Sequence, residues 1–227
     1  MNIGSNILEI RKYIPTHVKL VAVSKTKPVS DLEEAYQAGQ RIFGENKALE
    51  MRDKHEIMPN NIEWHFIGHL QTNKIKYIIS FVSLIHSIDS FKLLKEVNKE
   101  ALKHNRCVDC LLQFHIATEE SKFGLDMQET HELLQSEEFS KLNNIRIVGV
   151  MGMATYTENQ ELIRKEFRQL KQYFIETKEK HFINDHSFCE ISMGMSGDYK
   201  IAIEEGSTLV RIGSSIFGER NYVNVVS

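Results

Sequence analysis

Three features of this sequence have residue types suited to chemistry, and the first is a lysine that follows an apolar run. Lys25 comes directly after the segment at 20–24, whose leucine and valines are typical of a buried strand. A lysine held at the rigid end of such a strand loses solvation, which lowers the pKa of its amine and makes it a nucleophile. The alternative is a solvated loop lysine, the role we expect for Lys27.

The second feature is a pair of glycine–serine loops near the end of the chain. Ser196 lies where a helix is expected to begin in the segment 195–206, and Gly213 and Ser214 lie at a second helix start in the segment 211–215. Free backbone N–H groups, serine hydroxyls and close backbone approach at glycine together make a phosphate site. The alternative is plain helix capping by Ser196 and a turn at Gly213.

The third feature is Arg211, which stands inside an otherwise apolar strand. A buried arginine is costly unless it is paired. It serves either in a structural ion pair with a carboxylate or in contact with a ligand's ring nitrogen or anionic group. Together with Lys25 and the phosphate loops, Arg211 suits a phosphorylated aldehyde bound as an imine. Pyridoxal 5′-phosphate (PLP) needs all three partners.

The elements that must position these residues alternate between strand and helix. After a first helix at 2–13, apolar segments predict eight strands at 18–24, 41–44, 63–68, 83–88, 107–117, 145–154, 187–193 and 208–213. Helical patterns follow the strands at 31–38, at 46–56, from about 72, from 90, from about 126, at 159–178, at 197–205 and after 213. Ser30 with Glu33 reads as a capping box, and Ser90 is expected to cap the helix that follows it.

Eight strand–helix units favour parallel pairing, because each helix then serves as a right-handed crossover. We therefore predict a (β/α)₈ TIM barrel in one domain, residues 1–227, with an extra N-terminal helix; an open, doubly wound sheet is the alternative. In a barrel the carboxyl ends of the strands meet at one face, the mouth, where such folds keep their chemistry. Lys25, Asn46, the loop at 192–196 and the loop at 211–214 would all lie there.

Composition excludes several classes of protein. The 28 basic and 31 acidic residues are well mixed and give a formal charge of −3, which argues against nucleic acid as a partner. We find no apolar run long enough to span a membrane and no secretory signal. Three cysteines, an odd number, fit a reduced cytoplasm.

Two patterns that resemble metal sites have the wrong spacing. Cys107 and Cys110 are three apart in a predicted strand, so their side chains would point to opposite faces. His65 and His69 are separated by the end of a strand at Gly68 and lack the helical geometry of a paired-histidine site. We expect no metal.

Several motifs, spread over residues 5–222, resemble one family: VAVSKTKP, RIFGENKALE, WHFIGHLQTNK, HSIDS, EESKFG and SMGMSGDYKIAIEEGSTLVRIGSSIFGER. The sequence is similar to the YggS-type pyridoxal phosphate homeostasis proteins, which are related to the N-terminal barrel domain of alanine racemase. The resemblance implies a PLP-binding barrel with the cofactor as a Schiff base on Lys25. It also implies cofactor contacts by Arg211 at the pyridine nitrogen, Ser196, Gly213 and Ser214 at the phosphate, and Asn46 in the pocket lining.

The function that the resemblance implies is intracellular PLP homeostasis, with PLP-dependent apo-enzymes as possible recipients and without robust catalysis. We expect a monomer. Because arginine stays protonated, Arg211 would keep the pyridine nitrogen unprotonated and the ring a poor electron sink. The related racemase also takes a tyrosine from a second domain; this sequence ends at Ser227, and we expect Tyr199 on an outer helix.

Two other functions stay open on the sequence. One is a PLP-dependent amino-acid racemase or lyase that uses Lys25 as its base. The other is a Schiff-base aldolase with no cofactor. The sequence also departs from the family pattern at Lys47, His69 and His115, which could alter what reaches the exposed face of the cofactor.

Overall fold

Eight parallel strands close into a barrel in chain order, with β8 paired back to β1. The computed structural model describes residues 2–118 and 124–219. The strands are β1 Lys19–Val23, β2 Ile42–Glu45, β3 Glu63–Phe66, β4 Leu84–Ile88, β5 Val108–Gln113, β6 Ile145–Met151, β7 Glu190–Ser192 and β8 Leu209–Ile212. The predicted barrel is confirmed, and the open sheet is wrong.

Helices cover the outside of the barrel. They are α1 Ile3–Arg11, α2 Val29–Gln37, α3 Ala48–Ile57, α4 Phe91–Lys103, α5 Met127–Gln135, α6 Gln160–His181, α7 Tyr199–Glu204 and α8 Ser214–Phe217. Helix α1 precedes β1 and is the predicted extra N-terminal helix. The crossover after β3 contains a 3₁₀ helix, Thr72–Tyr77, in place of the expected α-helix.

The helix starts show which capping predictions were correct. Ser90 accepts a hydrogen bond from the N–H of Leu93 at 3.3 Å and caps α4 as predicted. Asp126 begins α5 with a full capping box. The capping box predicted at Ser30 and Glu33 is wrong, because Pro28 occupies the cap position without a side-chain bond and α2 begins at Val29. The fixed φ of proline already suits the helix entry, so Ser30 falls inside the first turn.

Two apolar clusters hold the barrel together. The larger lies between the strands and the helices and includes Trp64, Phe43 and Phe167. The smaller consists of Val21, Leu84, Leu111, Val148, Met151 and Leu209. Residues paired between neighbouring parallel strands point to the same side of the sheet, and side chains along a strand alternate. The small cluster therefore fills the barrel interior, as in other barrels of this kind.

The described part of the chain contains no helix long and apolar enough to cross a membrane. Cys107 is exposed and lies just before β5, and Cys110 is buried within it, so the two cysteines have different environments.

Candidate functional site at the barrel mouth

Lys25 lies in the turn directly after β1, half-buried, at the carboxyl end of the strand. The N–H of Ser24 donates to the carbonyl of Gly44 at 3.0 Å, which extends the pairing of β1 and β2 up to this turn. Thr26 has a φ of 64°, in the left-handed region that side chains other than glycine rarely adopt. The backbone on both sides of Lys25 is therefore fixed by its surroundings.

A buried ion pair holds this turn in place. The ammonium of Lys54 on α3 donates to the carbonyl of Ser24 at 2.7 Å, to Glu45 Oε1 at 2.7 Å and to Glu50 Oε1 at 2.8 Å. Ser24 Oγ donates to Glu45 Oε1 at 2.6 Å, and the strained Thr26 N–H donates to Glu50 Oε1 at 2.6 Å. We call these five residues the lysine frame, because together they fix the residues before and after Lys25.

Glu45 is the member of the lysine frame whose burial is energetically most unfavourable. Its side chain is fully buried, and Oε2 has no hydrogen-bond partner within 2–118 and 124–219. Burial raises the pKa of Glu45, while the charge and hydrogen bond of Lys54 act to lower it. The net effect is a raised pKa, because burial outweighs the stabilisation of the charged form by Lys54.

The two C-terminal loops join each other at the mouth. The N–H of Gly213 donates to Ser196 Oγ at 3.2 Å, across 17 residues of sequence. Ser196 does not cap α7, whose cap position is taken by Asp198, so the capping alternative is wrong for this serine. Ser214 is the exposed first residue of α8. A Cβ placed at Gly197 would meet no atom of the described residues within 4 Å, so among those residues there is open space above the loop backbone.

Arg211 is buried in the barrel interior and bonds to neutral oxygens. Its Nη1 donates to Ser192 Oγ at 2.6 Å and its Nη2 to the carbonyl of Gly152 at 3.1 Å. Burial lowers the pKa of Arg211 to about 10, and the nearby charge of Asp198 acts in the opposite direction. The guanidinium therefore stays positively charged at neutral pH without a carboxylate in these two contacts.

Two histidines extend this arrangement across the barrel. Ser192 Oγ lies 2.8 Å from His86 Nδ1, and His86 Nε2 lies 3.0 Å from His65 Nδ1. His65 pairs in register with the inward-facing Leu84 and so points into the same interior. We call His65, His86, Ser192 and Arg211 the polar row.

Asn46 follows β2 and borders a cavity of about 370 Å³ beside the mouth. Its Oδ1 is buried and has no hydrogen-bond partner among the residues that the structure describes. A Cβ at Gly68 would lie 2.5 Å from the carbonyl oxygen of Asn46, so only glycine allows this approach of the two loops. Lys47 and His69, two departures from the family pattern, line the same cavity, and His69 Nδ1 lies 3.0 Å from Asp89 Oδ2.

The barrel thus brings the six predicted site residues to one end, at the carboxyl ends of β1, β2, β7 and β8: Lys25, Asn46, Ser196, Arg211, Gly213 and Ser214. The expectation that Lys27 is a solvated loop lysine is wrong. Its ammonium donates to the carbonyls of Phe217 and Glu219 at 2.8 and 2.9 Å and so contacts the end of α8. His115 follows β5, while most of the EESKFG motif, residues 119–123, lies outside the described residues.

Sequence reasoning missed the lysine frame and the polar row. A signal for the polar row was present, because strand alternation places His86 and Ser192 on the faces that carry Leu84 and Glu190. No comparable signal exists for Lys54, which resembles other lysines of an amphipathic helix. Tyr199 is the first residue of α7 and packs in the larger apolar cluster, as expected of an outer helix.

The closed barrel, the strand-end lysine and the joined loops define a class of protein. The family model described as the N-terminal domain of alanine racemase matches residues 1–221. The barrel is therefore of the alanine racemase N-terminal type, as the sequence motifs indicated.

Relatives with 30% or more sequence identity define the particular family. The pyridoxal phosphate homeostasis protein of Aquifex aeolicus is 40% identical over 90% of this chain and 88% of its own length, and that of Vibrio alginolyticus is 40% identical over 92% and 89%. The structure of PipY from Synechococcus elongatus with PLP bound is 31% identical, has a TM-score of 0.85 and covers 95% of this chain and 100% of its own. The chain belongs to the pyridoxal phosphate homeostasis protein family.

Proposed function

We propose that this protein binds PLP at the barrel mouth and serves in PLP homeostasis. One observation carries the proposal: the buried, charged guanidinium of Arg211 is held by neutral oxygens at the same end of the barrel as Lys25 and the joined loops. A positive donor with no opposing carboxylate in those contacts suits the lone pair of a pyridine nitrogen. The PLP bound to the similar PipY supports the same assignment.

The residues at the mouth fit PLP in three respects. The open space at Gly197 and the adjoining Gly213 and Ser196 suit a phosphate, which accepts hydrogen bonds from backbone N–H groups and hydroxyls. Ser214 adds a hydroxyl and an N–H at the start of α8. The unpartnered Asn46 Oδ1 suits a donor group of a bound ligand.

Lys25 is the residue that we assign to the aldehyde of PLP. Its amine would hold the aldehyde carbon through a C=N bond, with the aldehyde oxygen and the two amine hydrogens released as water. The lysine frame holds the backbone on both sides of the amine, so the residue returns to the same position after release. We therefore assign Lys25 the role of a reversible tether, and its lowered pKa stays a prediction.

We also propose that the protein lacks robust catalysis. When bound, PLP supplies an electron-withdrawing pyridine ring, which stabilises a carbanion best when its nitrogen is protonated. Arg211 stays charged at neutral pH and can only donate hydrogen bonds, so it disfavours a proton on that nitrogen. Tyr199 packs in the larger apolar cluster and offers no second acid or base at the mouth.

The remaining parts of the proposal concern the domain organisation, oligomeric state, location and partners of the protein. We propose that residues 1–227 act as one PLP-binding domain, monomeric and cytoplasmic, with PLP-dependent apo-enzymes as recipients. Mixing the loaded protein with a PLP-dependent apo-enzyme should restore that enzyme's activity faster than dilution of the cofactor alone.

The decisive experiment traps the cofactor. The purified protein is loaded with PLP, treated with borohydride, digested and mapped by mass spectrometry. The reagent delivers hydride to the imine carbon and turns C=N into a stable amine. We expect one labelled peptide, with the label on Lys25, and no label in Lys25→Ala.

Four results would count against the proposal. A label on any lysine other than Lys25 would overturn the site. Retention and absorbance of the cofactor unchanged in Arg211→Ala would remove the pyridine contact. Turnover of an amino-acid panel well above free PLP, abolished in Lys25→Ala, would favour the racemase or lyase alternative, whereas a colourless protein with borohydride-sensitive aldolase activity would favour the aldolase.

A further inference from the structure

The polar row is an unbroken line of hydrogen bonds across the barrel interior. Arg211 Nη1, Ser192 Oγ, His86 and His65 follow one another at 2.6, 2.8 and 3.0 Å. The exposed fraction of each side chain is 4% or less, so solvent does not compete for these bonds. The row begins at β8, crosses the interior from β7 to β4, and ends at β3.

Arginine can only donate, so Ser192 Oγ accepts from Arg211. One assignment of the hydrogens then satisfies the whole row: Ser192 Oγ donates to His86 Nδ1, and His86 carries its proton on Nε2 and donates it to His65 Nδ1. Burial lowers the pKa of His65 to about 3 and that of His86 well below its ordinary value, so both rings are neutral and able to accept.

The buried polar row has an energetic cost, because it lies among apolar side chains of the barrel interior. Val21 and Leu84 of the small apolar cluster pair in register with Arg211 and His65. Replacing apolar side chains by buried polar ones is tolerated only when all their hydrogen bonds are made. Stability alone therefore does not account for the row.

The groups that accept hydrogen bonds from Arg211 are neutral, and this affects the charge at the site. A carboxylate next to Arg211 would fix the guanidinium and also neutralise its charge. Ser192 and Gly152 fix the same group through neutral oxygens, so these two contacts do not neutralise its positive charge. Ser192 is in turn oriented by His86.

We propose that Ser192 and His86 are positioning residues that hold Arg211 against the ring nitrogen of the cofactor and give the site its preference for a pyridine ring. The proposal rests on the proposed function, because it assumes that PLP occupies the mouth. Neither residue touches the cofactor; both act through the guanidinium.

The test compares two ligands in equilibrium binding. One is PLP, and the other is its benzene counterpart, in which a C–H group replaces the ring nitrogen. The wild type should prefer PLP. In Ser192→Ala and His86→Leu this preference should fall about tenfold, or about 1.4 kcal/mol, and the absorbance of bound PLP should shift.

Two further variants separate positioning from general destabilisation. His86→Asn keeps an acceptor oxygen near the position of Nδ1 and should restore much of the preference. Ser207→Ala removes another buried serine hydroxyl, which bonds to Met193 and Leu209 beside the same two strands but lies outside the row. It should lower thermal stability without changing the preference.

Each outcome decides a separate point. Equal weakening of both ligands in Ser192→Ala, or no change at all, would overturn the positioning role while PLP binding stands. If His86→Leu does not fold, Ser192→Ala and His86→Asn still test the positioning role. A wild type that binds neither ligand and gives no adduct on Lys25 would overturn the proposed function, and this inference with it.

Discussion

Replacing Lys54 by methionine should destabilise the protein strongly although the residue lies on an outer helix. The ammonium of Lys54 donates three hydrogen bonds, to Ser24, Glu45 and Glu50. Methionine is unbranched and of similar length but has no charge and no donor. In Lys54→Met the carboxylate of Glu45, fully buried, would keep only the hydroxyl of Ser24 as a partner.

Two independent arguments give the magnitude. Breaking a buried ion pair by removing one partner costs about 3–5 kcal/mol, because the other charge is left uncompensated. Protonation of Glu45 sets an upper limit: pH 7 lies about 2.5 units above the ordinary glutamate pKa, and about 1.36 kcal/mol per unit gives about 3.4 kcal/mol. Burial already raises the pKa of Glu45 in the wild type, so we expect a loss of about 3 kcal/mol at pH 7.

The pH dependence follows from the sign of the shift. An acid whose pKa is raised in the folded state is stabilising below its unfolded pKa and loses that contribution as the pH rises towards the folded value. The cost of Lys54→Met should therefore shrink to below about 1 kcal/mol at pH 5, where a neutral carboxyl group is within about half a unit of its ordinary pKa.

Urea unfolding at pH 5, 6 and 7 measures both effects. The double variant Lys54→Met with Glu45→Gln removes the stranded charge and should recover most of the loss at pH 7. Lys95→Met is the matched control, because Lys95 pairs with Glu138 on the surface, and exposed pairs contribute at most about 1 kcal/mol. A loss below about 1 kcal/mol at pH 7, or a loss that does not change with pH, would refute the reasoning.

Three further predictions concern separate parts of the barrel. Gly68→Ala should cost about 1–3 kcal/mol and weaken PLP binding, because the new Cβ would lie 2.5 Å from the Asn46 carbonyl; unchanged affinity in a fluorescence titration would contradict this. Asp126→Ala removes a capping box and should lower the free energy of unfolding by about 1 kcal/mol in urea, leaving PLP affinity unchanged. Because His65 and His86 are buried neutral, unfolding binds protons, so stability should fall as the pH drops from 7 to 5, by up to about 1.36 kcal/mol per unit for each ring. A His65→Gln variant should show a shallower decline in urea melts, and an equal slope would contradict the assignment.

Local sequence patterns were sufficient to predict the strands and most of the helix starts. Ser90 and Asp126 were recognisable because capping depends on a few neighbouring residues. The capping box at Ser30 failed for an equally local reason, since the preceding Pro28 already provides the helix entry. Alternation along β4 and β7 also predicts that His86 and Ser192 point into the barrel. It does not predict that these two side chains contact each other.

The sequence by itself determined the order of strands and helices, the barrel that follows from eight parallel units, and a short set of candidate residues at the strand ends. These depend on hydrophobic period and on motifs that lie close together along the chain. Only the tertiary structure decided the contacts across the barrel: Ser196 against Gly213, and Lys54 beneath the turn of Lys25. Such contacts join residues distant in sequence and depend on register, burial and side-chain direction together, which only the closed barrel fixes.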